Sequence, residues 1–147
     1  MVKIGVAGAY GAFGLKHLDA LANIPNADVT AIFGPNKDKI EALAAERGIA
    51  TACSSYEDFL AADTDAVILS TPTQMHCEQS VKAMDAGKHT FSEIPMADSL
   101  ADAEAMFAAQ ERTGVVGMVG HVRRFNPSHQ YIRNKIDAGA FNIPQMD

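Results

Sequence analysis

The chain has 147 residues, 48% hydrophobic and 20% charged, with a formal net charge of -6. That size and balance suit one domain with its own core and exclude a disordered segment. The acidic balance argues against a nucleic-acid partner, because phosphate backbones select basic surfaces, and no apolar run approaches the roughly 20 residues that would span a bilayer.

The opening MVKIGVAGAYG lacks a basic leader and soon becomes glycine-rich, so no secretory signal is expected. Val2 to Ala7 reads as a buried strand, and Ala12 to Asn23 as a helix with Leu15, Leu18, Leu21 and Ala22 on its inner face. Pro25-Asn26 breaks that helix before a strand over Asp28 to Phe33. Asn36 is placed to cap a helix carrying Ile40, Leu43 and Ala44 inward, closed by Gly48. A weaker strand, Ile49 to Cys53, precedes a short helix near Tyr56 to Ala61, and Ala66 to Ser70 is a buried strand. The helix from about Gln74 to Ala86 turns Cys77, Val81 and Met84 inward and ends at Gly87. His89 to Ser92 is a short strand, and Ser99 with Asp102 opens another helix, which stops at Gly114. Val115 to Val119 reads as a further buried strand, and Asn126-Pro127 starts a last helix ending at Gly139. About six strands alternating with helices imply an α/β fold, a doubly wound parallel sheet covered on both faces.

The segment Gly8-Ala9-Tyr10-Gly11-Ala12-Phe13-Gly14 joins the first strand to the first helix. Glycines there let the backbone turn sharply and approach a pyrophosphate, while the helix N-terminus offers free N–H groups to it. The spacing G-x-x-G-x-x-G is one residue longer than the usual dinucleotide loop, and its strand–turn–helix setting supports that reading. A plain structural turn and a methyltransferase loop for an adenosyl cofactor are the alternatives. The next test is an acid at the tip of the second strand, where NAD's adenosine ribose would be held. The tip reads Gly34-Pro35-Asn36-Lys37, with no carboxylate. Lys37 and Lys39 could meet a 2′-phosphate or could be solvated residues of a first helical turn, so NADP is favoured with NAD possible. Residues 1–120 are expected to form the Rossmann-type dinucleotide-binding domain. Residues 121–147 would supply a connecting helix and the start of a second domain.

Gly8 to Gly14 followed by His17, the run Thr71-Pro72-Thr73-Gln74-Met75-His76, and Glu93-Ile94-Pro95 occur in an order specific to one family. In these the chain resembles the glucose–fructose oxidoreductase/inositol dehydrogenase/MocA family over essentially its whole length. The resemblance implies an NAD(P)-dependent dehydrogenase acting on a CH–OH group. Thr71, Pro72, Thr73 and His76 would lie beside the cofactor's diphosphate and nicotinamide ribose, with Glu93, Ile94 and Pro95 near that ribose. Many relatives carry a proton-transferring lysine where this chain has Ile94, which moves the base elsewhere. The run from Gly120 to Tyr131 further resembles members that oxidise the cyclic hemiacetal of a carboxylated hydroxymuconate semialdehyde to a pyrone dicarboxylate, in aromatic catabolism. Family members also carry a C-terminal α/β domain supplying much of the substrate site and the dimer contact. It is expected to be missing here, leaving a cofactor half, a homo-oligomer only in full-length form, and an apolar docking surface prone to association.

Several further side chains are candidates for chemistry. His121, at the end of the last strand, could polarise or deprotonate a hydroxyl, or could simply bond at a strand end. Arg123 and Arg124 suit an acidic small-molecule substrate, because guanidinium forks pair with carboxylates. One of them, Arg123, could instead contact the cofactor, leaving Arg124 for the substrate; a surface ion pair is the plainer option. His17 and His89 are expected to be structural. Cys53 and Cys77 have no basic neighbours or metal-ligand spacing, which fits a reducing cytoplasm and argues against a thiol nucleophile. No metal site is expected.

Overall fold

The alternating pattern becomes, in a computed structural model that describes residues 1–140, six strands and six α-helices. The strands are β1 (Val2–Ala7), β2 (Ala27–Phe33), β3 (Thr51–Cys53), β4 (Ala66–Leu69), β5 (His89–Ser92) and β6 (Gly117–Val119). The helices are α1 (Ala12–Leu21), α2 (Lys37–Arg47), α3 (Tyr56–Ala61), α4 (His76–Asp85), α5 (Leu100–Thr113) and α6 (Pro127–Asp137). Short 3-10 turns at Thr73–Met75 and Val122–Phe125 lead into α4 and α6. All strand pairs are parallel, in the order β3-β2-β1-β4-β5-β6. The order reverses about β1, which opens a crevice at the carboxyl ends of β1 and β4.

Parallel strands buried on both faces divide their side chains between two cores. Val6, Ile32, Leu18, Leu21, Ile40, Leu43 and Ala44 join β1 and β2 to α1 and α2. On the opposite face Ala7, Phe33, Val67 and Leu69 meet Tyr56 and Phe59 of α3 and Ala83 of α4. Phe33, Tyr56 and Phe59 pack edge-on or tilted with centroids 5.5 to 5.9 Å apart, and the Tyr56 hydroxyl donates to the Gln79 carbonyl at 2.8 Å. That bond satisfies the one polar atom of the cluster, and burial pushes the phenol's proton affinity up. A smaller group, Met84, Ala109 and Val115, seats α5 against α4.

The capping residues act as the sequence indicates. Asn36 accepts from the Lys39 N–H at 3.0 Å, Ser99 from the Asp102 N–H at 3.1 Å, and Asn126 from the Ser128 N–H at 3.0 Å. Gly48 and Gly114 end their helices in the left-handed conformation. Four expectations need correction. Ala22 is exposed, because α1 ends at Leu21 and Ala22 only caps it. On α4 the inner face is His76, Gln79, Ser80, Ala83 and Met84; Cys77 and Val81 are half-buried beside it. The strand at 115–119 shortens to Gly117–Val119, with Met118 49% exposed, since β6 is the last strand of the described sheet and pairs only with β5 there. The strand at 49–53 likewise shortens to Thr51–Cys53 on the other edge. Of the expected connecting region, residues 121–140 form the 3-10 turn and α6; 141–147 lie outside the described residues.

Candidate functional site

The site gathers at the carboxyl ends of the strands, where hydrogen bonds tie neighbouring segments together. Gly8 N–H donates to the Phe33 carbonyl at 2.9 Å, and Ser70 donates from N–H and hydroxyl to the Ala7 carbonyl. Glu93 N–H reaches the Leu69 carbonyl, and Gly120 N–H the Ser92 carbonyl at 2.8 Å. Glycine loop, β4 end, β5 end and β6 end therefore form one rim. His121 and Glu93 each stand one residue beyond that last pair, on neighbouring strand ends.

The loop shows why glycine occupies its positions. Gly8 has φ +73, and a Cβ on it would lie 2.6 Å from the Ser70 carbonyl oxygen. A Cβ on Gly14 would overlap the Gly8 carbonyl and lie 2.7 Å from Ala9 Cα, so α1 sits directly on its own loop. The N-terminus of α1 is bare: Gly11 caps it without a side-chain bond, and its first turn has no acid. The amides of Ala12, Phe13 and Gly14 precede the first intrahelical bond, from Leu15 to Gly11, and point out of the helix start. Such an end suits a pyrophosphate, and the Cβ-free cradle in front of it fits a dinucleotide. Phe13 is 51% exposed, with the Lys16 ammonium over its ring.

At the tip of β2, Gly34 lies under the Tyr10 ring, and the Tyr10 hydroxyl accepts from the Asn36 N–H at 3.2 Å. The Lys37 ammonium lies 3.8 Å from Glu41 one turn along α2, whereas that of Lys39 lies 5.9 Å over the Tyr10 ring.

On the β4–β5 side, His76 is 1% exposed and links two loops. Its Nδ1 is 2.9 Å from the Pro95 carbonyl oxygen and its Nε2 2.8 Å from that of Thr71. A neutral ring donates to one of these carbonyls; the doubly protonated ring donates to both. The Ile94-Pro95 peptide bond is cis. Thr71 donates its hydroxyl to the Gln79 side-chain oxygen at 2.6 Å, while Pro72 and Thr73 begin the turn into α4. Glu93 is 7% exposed; its Oε1 lies 2.8 Å from His17 Nε2, and its Oε2 accepts from the Ile94 N–H at 3.3 Å. His17 also meets the Phe91 ring edge-on at 5.5 Å. Ile94 is 42% exposed.

His121 is exposed at the entry to the 3-10 turn, its carbonyl accepting from the Arg124 N–H at 3.0 Å. Arg123 and Arg124 line an open cleft of about 870 Å³ with His129, Gln130, Arg133 and Asn134. Arg133 is held along its own helix by both oxygens of Asp137, at 2.9 and 2.8 Å.

Two contributors escaped the sequence reading. His17, expected to be structural, is the partner of Glu93, 76 residues away, and Gln79 holds Thr71. One signal existed for His17, its place one helical turn past Gly14; none existed for Gln79. His89 accepts from the Val116 N–H at 2.9 Å, away from the rim. Burial pushes the Cys53 and Cys77 thiols up, which keeps them protonated and poorly nucleophilic. Among the described residues no three His, Cys, Asp or Glu side chains gather to hold a metal ion. No described helix is long and apolar enough to cross a membrane.

Residues 2–121 match the Gfo/Idh/MocA group described as "Oxidoreductase family, NAD-binding Rossmann fold". The chain belongs to this family, and its described fold is that of the family's nucleotide-binding domain. It is 52% identical over 147 residues to 4-carboxy-2-hydroxymuconate-6-semialdehyde dehydrogenase of Sphingobium sp. (strain SYK-6), covering 99% of this chain and 46% of that protein. It is 34% identical to the scyllo-inositol 2-dehydrogenase (NAD(+)) of Bacillus subtilis, covering 97% of this chain and 42% of that one. Among solved structures, scyllo-inositol dehydrogenase from Lactobacillus casei with bound NAD(H) and scyllo-inositol superposes with a TM-score of 0.89 at 28% identity. That superposition covers 95% of this chain and 42% of the other. The chain thus spans less than half the length of these relatives.

Proposed function

We propose that the chain is the NADP-binding half of a dehydrogenase that oxidises an acidic cyclic hemiacetal to a lactone, with NAD the weaker cofactor. The observation carrying the cofactor reading is the bare N-terminus of α1 behind a loop whose close approaches exclude any Cβ at Gly8 and Gly14. The substrate reading rests on the 52% identity to the semialdehyde dehydrogenase, together with the arginines that suit a dicarboxylate. The parent reaction would convert a carboxylated hydroxymuconate semialdehyde, as its hemiacetal, to a pyrone dicarboxylate.

A bound nicotinamide supplies the hydride acceptor. The chain's own groups do the positioning. Amides of Ala12 and Phe13, with Gly8, Tyr10 and Gly11 alongside, face the pyrophosphate. Gly34, Asn36 and Lys37 border the adenosine ribose. Thr71, Pro72 and Thr73 wall the nicotinamide side, and His76 acts from below by tethering that wall to Pro95. Glu93, steadied by His17, accepts from the nicotinamide ribose beside Ile94 and Pro95. Ile94 cannot exchange a proton, so removal of the hemiacetal proton falls to another group, and His121 is the titratable side chain at that strand end. Arg124 holds a substrate carboxylate as a bidentate fork, and Arg123 lies toward the cofactor.

A second reading, a nucleotide-binding module with no turnover of its own, is favoured by one observation: the arginine cleft is open. Calorimetric titration with NADP and NAD, followed by a turnover assay with the semialdehyde, tests both. Tighter binding of NADP with turnover supports the first reading, and binding without turnover the second. Failure of a folded chain to bind either dinucleotide overturns both.

A further inference from the structure

We infer that Tyr10, together with Lys39, is the specificity-determining pair of the adenosine-ribose pocket. This deepens the NADP reading above and rests on it. In a pocket that selects NAD, an acid at the tip of β2 accepts from the ribose hydroxyls. Here that tip is Gly34, and the space a side chain would occupy is already filled. A Cβ built on Gly34 overlaps Cε1 of the Tyr10 ring and lies 2.9 Å from Cδ1 and 3.0 Å from Cζ. The ring is fixed at both ends: its backbone belongs to the glycine loop, and its hydroxyl accepts from the Asn36 N–H at 3.2 Å. The extra residue in the loop spacing therefore has a physical use. It delivers an aromatic ring from β1 to the tip of β2, where it excludes a carboxylate.

The same ring places a cation. The Lys39 ammonium lies 5.9 Å from the Tyr10 centroid, within cation–π range, while the Lys37 ammonium lies 3.8 Å from Glu41 and points along α2. Lys39, not Lys37, is thereby the ammonium held over the ribose position. A 2′-phosphate would find a cation and no competing carboxylate; a free 2′-hydroxyl would find no acceptor of the kind an acid provides.

The test is a double-mutant cycle on the whole chain, read by calorimetric affinity for NADP and NAD and by melting temperature without cofactor. Gly34→Asp alone is expected to weaken NADP binding while NAD gains less than about threefold, because the tyrosine ring holds the acid's place. Tyr10→Ala with Gly34→Asp is expected to gain about tenfold or more for NAD, of the order one recovered charge-assisted hydrogen bond supplies. Tyr10→Phe with Gly34→Asp keeps the ring but frees its hydroxyl end, so its gain for NAD should fall between that of Gly34→Asp alone and that of the Tyr10→Ala pair. Lys39→Ala should lose about tenfold for NADP and little for NAD, and Lys37→Ala little for either. Without cofactor, Gly34→Ala should lower the melting temperature by several degrees in the native background and by much less beside Tyr10→Ala. Full NAD preference from Gly34→Asp alone, or no coupling in the melts, overturns the role of Tyr10. Equal losses at Lys37 and Lys39 overturn that of Lys39. A native chain that binds dinucleotides without preferring NADP overturns the discrimination while leaving the cofactor site standing; a native chain that binds neither overturns the proposed function itself.

Discussion

Gly8→Ala is expected to be the most damaging small substitution in the glycine loop, and its cost can be worked from two separate terms. The native φ of +73 is left-handed, which costs a residue with a Cβ about 1–2 kcal/mol. The added methyl would also lie 2.6 Å from the Ser70 carbonyl oxygen and 2.8 Å from its carbon, backbone atoms held in place by β4. Overpacking of that kind costs about 1–3 kcal/mol. Together the two terms come to about 2–5 kcal/mol. An unfolding entropy near 2.1 cal/mol/K per residue makes 1 kcal/mol equal to about 3 °C for this length, so the melting temperature should fall by roughly 6–16 °C. Gly114→Ala supplies the control: its φ is +72, but nothing lies within 4 Å of its added Cβ, so only the conformational term applies and the fall should be roughly 3–6 °C. Thermal unfolding followed by circular dichroism, side by side, measures both. Equal losses in the two variants would show that the loop does not press against the end of β4, and the close-approach argument for the phosphate cradle would fail with it.

Two further outcomes follow from buried polar groups. His17→Ala leaves the Glu93 carboxylate, 7% exposed, without its ring partner, and should cost about 1–3 kcal/mol in urea unfolding and also weaken NADP binding; unchanged stability and affinity would remove His17 from the site. Lys88 is buried with its ammonium on the carbonyls of Ala62 and Thr64 and the Thr64 hydroxyl, and burial pushes it below its ordinary 10.5. The folded chain therefore releases this proton first as pH rises. Between the lowered value and 10.5 the unfolded chain holds more protons, so stability relative to Lys88→Met should rise with pH through that window. The Tyr56 phenol contributes equally to both proteins and cancels in the difference. Urea midpoints from neutral pH to about 10 decide it, and a falling difference would contradict the burial.

The sequence by itself determined the alternating α/β order, three side-chain caps, and the glycine loop with its bare helix start, because each is set by neighbours a few residues apart. Asn36, Ser99 and Asn126 cap within one turn, and Gly48 and Gly114 end helices through their own backbone freedom. The motifs Thr71 to His76 and Glu93 to Pro95 were legible in the same way, as positions. What they touch was not. His17 with Glu93, His76 with Pro95, and Tyr10 over Gly34 are contacts across 76, 19 and 24 residues of chain, and no local pattern specifies them. The exposure of β6 also depended on tertiary structure. An apolar run such as 115–119 reads the same whether a neighbour covers it or not, and only the sheet order, with β6 last, leaves Met118 facing out. Periodicity reports which faces can be buried; the packing of distant segments decides which are, and which polar atoms meet when they do.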